Sequence, residues 1–244
     1  MPHLIGYFPG GGGSKPVKKS FAESTWEEIS AVCKAGLASE YWAIGDTKNM
    51  TDGDTTTTLR IIGFDHDWVS DVTAYGREKA GITLQMEKAQ PSLKASMNGT
   101  SYKNLSWYSA SSGNACAMRS TTLPNYLAST IPGALKSVLV PVGKEFYYKE
   151  KNGIQSISDT LFLLSANEVF GTYTSGFGSE GEQYAYYAAG NSKTIYNTDG
   201  SAVSWWTRSP YQASNGNFYY VTGQTLAQIE ANTATIYGVP CMCI

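Results

Sequence analysis

Few residues of this chain are of the types that perform acid–base or metal chemistry. Of its two histidines, His3 lies in a stretch rich in glycine and proline, and His66 lies between Asp65 and Asp67. Imidazole and carboxylate groups are common zinc ligands. Adjacent residues of a strand or turn point in different directions, however, and do not close a site by themselves. We therefore predict a turn at residues 65–67, no bound metal and no catalytic centre.

The four cysteines are the second set of reactive side chains. Their spacing fits neither a redox motif nor a zinc pattern. Two of them, Cys241 and Cys243, stand two positions apart in an apolar, strand-like segment and therefore share a face. Reactive thiols lie in polar, electropositive surroundings, so we predict buried free thiols. The glycine run at residues 10–13 lacks the features of a phosphate-binding loop, and we expect no cofactor.

A different chemistry, molecular recognition, is indicated by residues 205–244. Only Arg208 and Glu230 are charged there, and Tyr, Asn, Gln, Ser, Thr and Gly fill the middle of the segment. Tyrosine provides a large rigid contact surface and the small polar residues provide adaptable hydrogen bonds, as in antibody loops. A polar β-meander at the end of a domain has the same composition. The residues that we predict to bind a ligand are Tyr211, Gln212, Ser214, Asn215, Asn217, Tyr219, Gln228, Ile229, Asn232 and Tyr237.

Strand alternation predicts how this segment presents its side chains. Alternate residues of a strand share a face. We expect Phe218 and Val221 to lie inside the protein, with a bulge able to change the parity. Side chains of residues 211–217, and alternate ones from Tyr219 to Tyr237, should then project together on one exposed face.

Charge and hydropathy narrow the classes of partner. The formal net charge is -2, and the densest basic group, Lys15, Lys18 and Lys19, flanks the glycine run. A solvated linker accounts for that group, so no nucleic-acid partner is expected. No apolar stretch approaches the length of a membrane span, which predicts no membrane insertion. The first residues do not have the pattern of a secretory signal peptide.

The elements that would position these residues form an α+β chain with much loop. Residues 1–20 are predicted to be a connector rich in glycine and proline, and residues 21–244 a single domain. A helix is predicted with Ser24 as its N-cap and Glu27 completing a capping box, and Gly36 can end it. Its apolar face would consist of Trp26, Ile29, Val32 and Cys33.

The remaining elements are short. Turn residues bound runs rich in β-branched and aromatic side chains, which is typical of strands. Strands are predicted at residues 57–65, 81–86, 136–142 and 161–164, around Trp205, and at residues 218–221 and 237–244. A short helix is predicted at residues 121–130, and the Pro132-Gly133 pair breaks it.

Several phrases of the sequence resemble a family of phage tail-associated proteins of gut-bacterial phages and prophages. The resemblance extends over roughly residues 20–244 and closes at Gly238-Val239-Pro240. The phrases that carry it are Tyr41-Trp42-Ala43-Ile44-Gly45-Asp46, Arg60-Ile61-Ile62-Gly63-Phe64-Asp65-His66-Asp67, Ala117-Met118-Arg119-Ser120, Leu161-Phe162-Leu163-Leu164-Ser165, Glu168-Val169-Phe170-Gly171, Tyr187-Ala188-Ala189-Gly190-Asn191-Ser192 and Trp205-Trp206-Thr207-Arg208-Ser209-Pro210.

A second resemblance concerns the fold. The Trp205-Trp206-x-Arg208-Ser209 opening, the polar middle and the Gly238-Val239 close are similar to the C-type-lectin-like fold of the formylglycine-generating-enzyme type. Variable proteins of diversity-generating retroelements have that fold, and in them a C-terminal segment is diversified, largely at Asn codons. The resemblance implies that Trp205, Trp206 and Arg208 are scaffold.

The two resemblances imply a receptor-binding or adhesion module on a phage tail, in the virion, or on a bacterial surface. Its partner would be a bacterial surface protein or glycan, and it could be a homo-oligomer on the tail. Two alternatives stay open. One is an oxidase of the formylglycine-generating type, with Cys241 and Cys243 as the nearest copper-binding pair. The other is a purely structural tail or decoration protein.

Overall fold

The computed structural model describes residues 18–52, 55–100, 104–110, 116–171, 179–213 and 216–244. Most of the predicted connector, residues 1–20, lies outside the described residues. The helices are α1 Trp26–Lys34, α2 Ala38–Tyr41, α3 Val72–Tyr75, α4 Leu123–Ser129, α5 Gly133–Lys136, α6 Ala166–Phe170 and α7 Ala185–Ala188. The strands are β1 Thr47–Asp52, β2 Thr55–Phe64, β3 Ile82–Met86, β4 Lys88–Ala89, β5 Val142–Tyr148, β6 Gly153–Asp159, β7 Ile195–Asn197, β8 Ala202–Val203, β9 Trp205–Pro210, β10 Asn217–Thr222, β11 Thr225–Glu230 and β12 Cys241–Cys243.

The largest sheet is antiparallel and has the order β1-β2-β3-β12, so the last strand of the chain completes a sheet begun near residue 47. On the side of β12 away from β3, Cys241 exchanges two backbone hydrogen bonds with Phe162, and the Cys243 carbonyl accepts one from Val140. The side chains from Cys241 to Ile244 are fully buried. The prediction that the C-terminal strand lies inside the protein is confirmed.

Three smaller sheets surround this one. The strands β11, β10 and β9 form an antiparallel sheet in that order, β5 pairs with β6, and β4, β7 and β8 form a mixed sheet. The segment before β12 connects the largest sheet to the β11-β10-β9 sheet, because Tyr237 in this segment forms a parallel bridge with Trp205 of β9. Residues close to the C-terminus therefore join the core of the large sheet to the sheet that carries the predicted ligand-binding residues.

Helix α1 has the predicted apolar face, with Trp26, Ile29, Val32 and Cys33 all buried. Its capping box, however, is formed by Thr25 and Glu28 rather than by Ser24 and Glu27. Ser24 is buried and its hydroxyl donates instead to the Ser20 carbonyl. The predicted N-cap is thus wrong by one residue, because two adjacent residues had the required side chain and spacing.

Two other element predictions are wrong. Residues 136–142 are not a strand, since α5 ends at Lys136 and β5 begins only at Val142, after Pro141. Pro141 has no N–H to donate to a ladder. Residues 161–164 are buried, but Phe162 makes just one isolated bridge, to Cys241. Residues 161–164 are apolar because they form a buried connection, whereas residues 136–142 are a connection of exposed, half-buried and buried residues. A composition signal does not separate either kind of connection from a strand.

The arrangement of short helices and small, mainly antiparallel sheets confirms the α+β fold class. The helix predicted at residues 121–130 is α4, preceded by a π-helical turn over Met118–Thr122. In the described part of the chain, no helix is both long and apolar enough to span a bilayer.

We predict that Met242→Ala destabilises the protein by about 2–5 kcal/mol, because truncating a fully buried methionine leaves a cavity. Met242 lies in β12 opposite Leu84 of β3, and neither side chain is exposed. Chemical denaturation measures the change. The control is Val72→Ala, at a side chain 45% exposed, which should change the free energy of unfolding by no more than about 0.5 kcal/mol. Equal effects of the two substitutions would show that β12 is not a core strand.

Candidate ligand-binding face and the charged cluster beneath it

The hairpin of β10 and β11 carries four of the eight described candidate residues, namely Asn217, Tyr219, Gln228 and Ile229. Across it, Tyr219 stands opposite Gln228, and Phe218 stands opposite Ile229. Directly opposed residues of an antiparallel pair lie on the same side of the sheet. Tyr219 and Gln228 therefore share one side of the hairpin with Asn217, whereas Phe218 and Ile229 lie on the other.

On the first side, four side chains form a small polar and aromatic surface. The Asn217 amide donates to the side-chain oxygen of Gln228. The rings of Tyr211 and Tyr219 meet edge to face with their centroids 5.3 Å apart. Tyr211 and Asn217 are half-buried, and Gln228 is exposed. We call the surface of Tyr211, Asn217, Tyr219 and Gln228 the hairpin face.

Three of the predicted residues do not lie as expected. Tyr219 is buried, because the Tyr211 ring covers it. Ile229 is on the reverse side with Phe218 and packs against the core. Tyr237 is buried because its backbone pairs with Trp205 and Trp206, so it lies in the buried segment that leads to β12 rather than continuing the exposed alternation.

The other predicted residues lie around the hairpin face or outside the part of the chain that the structure describes. Gln212 follows Tyr211 and is half-buried, with its amide nitrogen buried and unpaired among the described residues. Asn232 is exposed just beyond the end of β11. Ser214 and Asn215 lie outside the described residues. Phe218 and Val221 are fully buried, as predicted, and the pairing of β10 with β9 contains an irregularity between Phe218 and Tyr220.

The tip of the hairpin is tied to a neighbouring loop through Gln224. Its side-chain oxygen accepts from the Lys193 backbone N–H, and its amide donates to Ser192 and Thr194 at 2.9 Å each. At the other end of the hairpin, the Ala231 N–H donates to the Gly216 carbonyl. Both ends of the hairpin are thus fixed, which limits the entropy that ligand binding would cost.

Strand β9 supports the hairpin from behind, and all of its residues are buried. The indole N–H of Trp205 donates to the Lys193 carbonyl, and that of Trp206 donates to the Ala95 carbonyl, both at 2.9 Å. The Thr207 hydroxyl donates to the Tyr219 carbonyl at 2.9 Å, so it holds the backbone of the hairpin face directly. The implied scaffold role of Trp205 and Trp206 agrees with these contacts.

Arg208 is fully buried, and each of the five N–H donors of its guanidinium has an acceptor. Two of them form a fork on the Glu168 carboxylate, at 2.5 and 2.9 Å. The other three reach the backbone carbonyls of Glu145, Leu163 and Glu180, at 2.8 to 2.9 Å. This single side chain therefore joins β5, the segment before α6 and the loop at residue 180 to β9.

Glu168 and Lys144 extend the cluster toward the large sheet. Glu168 also closes the capping box of α6, where it accepts from the Ser165 N–H at 2.9 Å. The Lys144 ammonium lies 2.6 Å from Glu168 and 2.6 Å from Asp67. Asp67 in turn accepts from the hydroxyls of Thr83, at 2.5 Å, and Tyr184, at 2.8 Å. Burial alternates from Val142 to Phe146 in β5, and Lys144 occupies the inward position between these two residues.

Burial and pairing shift the pKa values of these groups in opposite directions. Burial by itself raises the pKa of the Asp67 and Glu168 carboxyls. The neighbouring cations outweigh it and hold both pKa values below the ordinary range: Lys144 lies beside Asp67, and Arg208 and Lys144 lie beside Glu168. Burial lowers the pKa of Lys144, yet its two carboxylate neighbours raise it overall. The cluster Asp67, Lys144, Glu168 and Arg208 therefore consists of two anions and two cations with no net charge.

The sequence-based prediction for residues 65–67 is only partly right. Asp65 does lie in a turn, with a positive φ of 46°, and pairs with Arg77 at 2.8 Å. The His66 ring stacks on Tyr184 with centroids 3.9 Å apart. Asp67, by contrast, is buried in the charged cluster instead of capping a solvated turn. The signal that could have revealed it is Lys144, since a lysine at an inward strand position requires a buried anion.

The thiols are all buried and free. Burial raises the pKa of every one of these thiols. The pKa of Cys33 and of Cys116 rises to about 12, and those of Cys241 and Cys243 lie well above the ordinary value. The Cys243 thiol lies 3.4 Å from Asp67. Among the described residues, no group of three or more His, Cys, Asp or Glu side chains is arranged to hold a metal ion.

We predict that Arg208→Met lowers the free energy of unfolding by about 3–5 kcal/mol, because it leaves Glu168 buried without its main cation. Lys19→Met is the matched control, since Lys19 and Glu28 form an ion pair with side chains 47% and 43% exposed. Exposed pairs of this kind contribute about 0–1 kcal/mol. Urea denaturation at neutral pH measures both changes. A loss below about 1 kcal/mol for Arg208→Met would contradict the supporting role of the cluster.

Acid should destabilise the protein through Glu168. Its folded-state pKa is lowered, so the unfolded chain takes up a proton first, at an ordinary pKa of about 4.3. The stabilisation is complete above that pH and is lost as the pH falls through the folded-state pKa. Glu168→Gln removes the titrating group, so the free energy of unfolding of this variant should fall less steeply below about pH 4 than that of the wild type. Equal slopes for the variant and the wild type would show that Glu168 is not held ionised.

Comparison with known proteins gives a family. The chain matches the family described as Domain of unknown function (DUF6273) over residues 92–244. No curated protein and no solved structure matches it significantly. The matched region contains the hairpin face, β9, Lys144, Glu168 and Arg208, whereas Asp67 precedes it. Since the match covers more than half of the sequence, the chain belongs to the DUF6273 family.

Proposed function

We propose that this protein is a ligand-binding module of a phage tail or bacterial surface, which recognises a bacterial surface protein or glycan through the hairpin face. The observation that carries the proposal is the placement of Asn217 and Gln228 beside each other on a hairpin fixed at both ends, with the Tyr211 ring packed against Tyr219 of the same hairpin. Functional residues commonly lie on loops and turns that a rigid scaffold positions.

The composition of the hairpin face supports recognition rather than general solvation. Of residues 211–229, none is charged, and Glu230 stands opposite Asn217 at the edge of the face. Amide side chains donate and accept hydrogen bonds, and a tyrosine ring adds contact area with few rotatable bonds. A ligand that presents hydroxyls or amides, such as a glycan or a polar protein loop, fits such a surface.

The resemblance to variable proteins of diversity-generating retroelements extends this proposal to a C-type-lectin-like fold and a diversified C-terminal segment. Residues in and near the hairpin face with partly or fully accessible side chains fit a history of Asn-codon mutagenesis, Tyr211 as a product of it and Asn217 and Asn232 as unchanged codons. The buried residues Trp205 and Arg208 form the support that such variation would have to leave intact. A near-repeat of the C-terminal coding segment beside a reverse transcriptase gene would test this extension.

The alternative of a formylglycine-generating-type oxidase would use Cys241 and Cys243. Copper binding by a cysteine pair requires thiolates, and burial opposes ionisation of both thiols. This observation favours the binding module. Copper-dependent oxidation of a cysteine-containing peptide by the purified protein would favour the oxidase instead, and an absence of binding to any bacterial surface would favour a structural tail protein.

We predict that alanine substitution of Gln212, Asn217, Gln228 and Asn232 together weakens binding to bacterial surface extracts at least tenfold. A loss of about 1.4 kcal/mol in binding free energy gives that factor. The thermal midpoint should stay close to that of the wild type, because none of the four side chains belongs to the core. The matched control is Asn125→Ala with Gln155→Ala, two exposed amides away from the hairpin, and it should bind like the wild type.

A second variant tests whether the ligand binds at a different surface of the protein. Trp68 is the most exposed of the large apolar side chains in the described part of the chain, at 58%. It lies in the segment after β2, outside the hairpin sheet, with the Lys79 ammonium 4.8 Å from its ring centroid. Trp68→Ala should bind like the wild type. Loss of binding in Trp68→Ala, with full binding in the hairpin variant, would place the ligand elsewhere and overturn the proposal.

A further inference from the structure

The Lys144 side chain presents an amine to two carboxylates in a site closed to solvent. Its Nζ lies 2.6 Å from Oδ1 of Asp67 and 2.6 Å from Oε1 of Glu168, and none of the three side chains is more than 3% exposed. The Phe162 ring centroid is 4.3 Å from Nζ and that of Tyr184 is 5.4 Å away. An amine and a carboxyl group held in contact inside an aromatic enclosure are the reactants of an amide condensation.

We propose that Lys144 and Asp67 condense to an intramolecular isopeptide bond, in which Nζ of Lys144 is joined to Cγ of Asp67 and one water molecule is released. The proposal concerns the scaffold and is independent of the ligand that the hairpin face binds. No cofactor, oxidant or activated intermediate is needed, because an ammonium and a carboxylate together contain all the atoms of an amide and a water.

The proton movements can be assigned to groups that already touch the reacting atoms. A proton passes from the Lys144 ammonium to Oδ1 of Asp67, which leaves a neutral amine and a carboxylic acid. The amine lone pair attacks Cγ and forms the C–N bond. Glu168 accepts a second proton from the nitrogen and delivers it to the departing Oδ1, the C–O bond breaks, and water leaves. Glu168 is a carboxylate both before and after the reaction.

The other oxygen of Asp67 is placed for the charge that this attack develops. Oδ2 accepts from the Thr83 hydroxyl at 2.5 Å and from the Tyr184 hydroxyl at 2.8 Å. Fixed donors aimed at a developing oxyanion are a main source of stabilisation in acyl-transfer reactions. Oδ2 then becomes the amide oxygen, and the same two hydroxyls satisfy it in the product.

The free energy of the buried cluster also favours the product. Contact between reactants inside one molecule replaces a bimolecular encounter, and effective molarities of well-oriented groups are very high. The condensation turns two desolvated ions into one neutral amide and so removes the desolvation penalty of that pair. Its product remains balanced in charge, since Glu168 keeps its fork to Arg208.

The bond would link two parts of the chain 77 residues apart, the segment after β2 and strand β5. Surrounding contacts hold both reacting groups in place. Asp67 receives hydrogen bonds from Thr83 and Tyr184, while Lys144 emerges from a strand that is paired along its whole length with β6. A covalent link at this point would persist under conditions that disrupt ion pairs.

The test is the mass of the intact, purified full-length protein. We expect it to be lighter than the sequence mass by one water molecule, whereas Lys144→Arg, which keeps the charge without a condensing amine, should have its full sequence mass. Lys94→Arg, at an exposed lysine, is the matched control and should still lose water. A wild-type protein of full sequence mass after prolonged incubation in the folded state overturns the proposal.

Peptide mapping assigns the lost water to its site. Trypsin does not cleave after an acylated lysine, so the digest should contain residues 61–77 joined to an uncleaved peptide of residues 137–149. Glu168→Gln should slow the joining while the protein remains folded by circular dichroism. Asp-Gly pairs can also lose water by forming succinimides, at Asp52-Gly53 and Asp199-Gly200. Water loss confined to peptides with those pairs, without the joined species, would overturn the proposal.

Discussion

The fork between Arg208 and Glu168 is the interaction on which the rest of the structure depends. Both side chains are completely enclosed, and a guanidinium can be buried only if its charge is neutralised and all its donors are used. The fold meets that requirement by bringing three backbone carbonyls and one carboxylate from separate segments to a single point. The positions of β5, α6 and β9 relative to one another follow from this geometry.

The same fork connects the core to the surface proposed for recognition. Arg208 lies in β9, and its neighbour Thr207 donates to the carbonyl of Tyr219 in β10. Beyond Glu168, the cluster continues through Lys144 to Asp67 and Thr83, and Thr83 pairs with Cys243 at the closing strand. A chain of buried polar contacts therefore runs from the large sheet to the back of the hairpin. Such a support would keep the fold intact under the proposed variation of the hairpin side chains.

Sequence patterns predicted the parts of this structure that depend on local chemistry. The apolar face of α1, the burial of the C-terminal residues 241–244, and the inward positions of Phe218 and Val221 all follow from periodicity or composition. Patterns failed where tertiary contacts decide. Tyr237 is polar enough for a surface but pairs with Trp205, and Tyr219 is covered by the Tyr211 ring, a contact between side chains that strand alternation does not predict.

The charged cluster was the largest feature that sequence reasoning missed, because its members lie far apart in the chain and each has an ordinary local explanation. Asp67 resembles a turn residue, Glu168 a helix cap and Lys144 a surface lysine. The central claim is that this cluster holds a separate, adaptable surface for ligand. Hydrogen–deuterium exchange with and without a bacterial surface extract that binds the protein tests it most directly. The account predicts slow exchange in β9 in both states and new protection confined to residues 211–232. Protection centred on residues 65–80, or rapid exchange throughout β9 in the free protein, would contradict it.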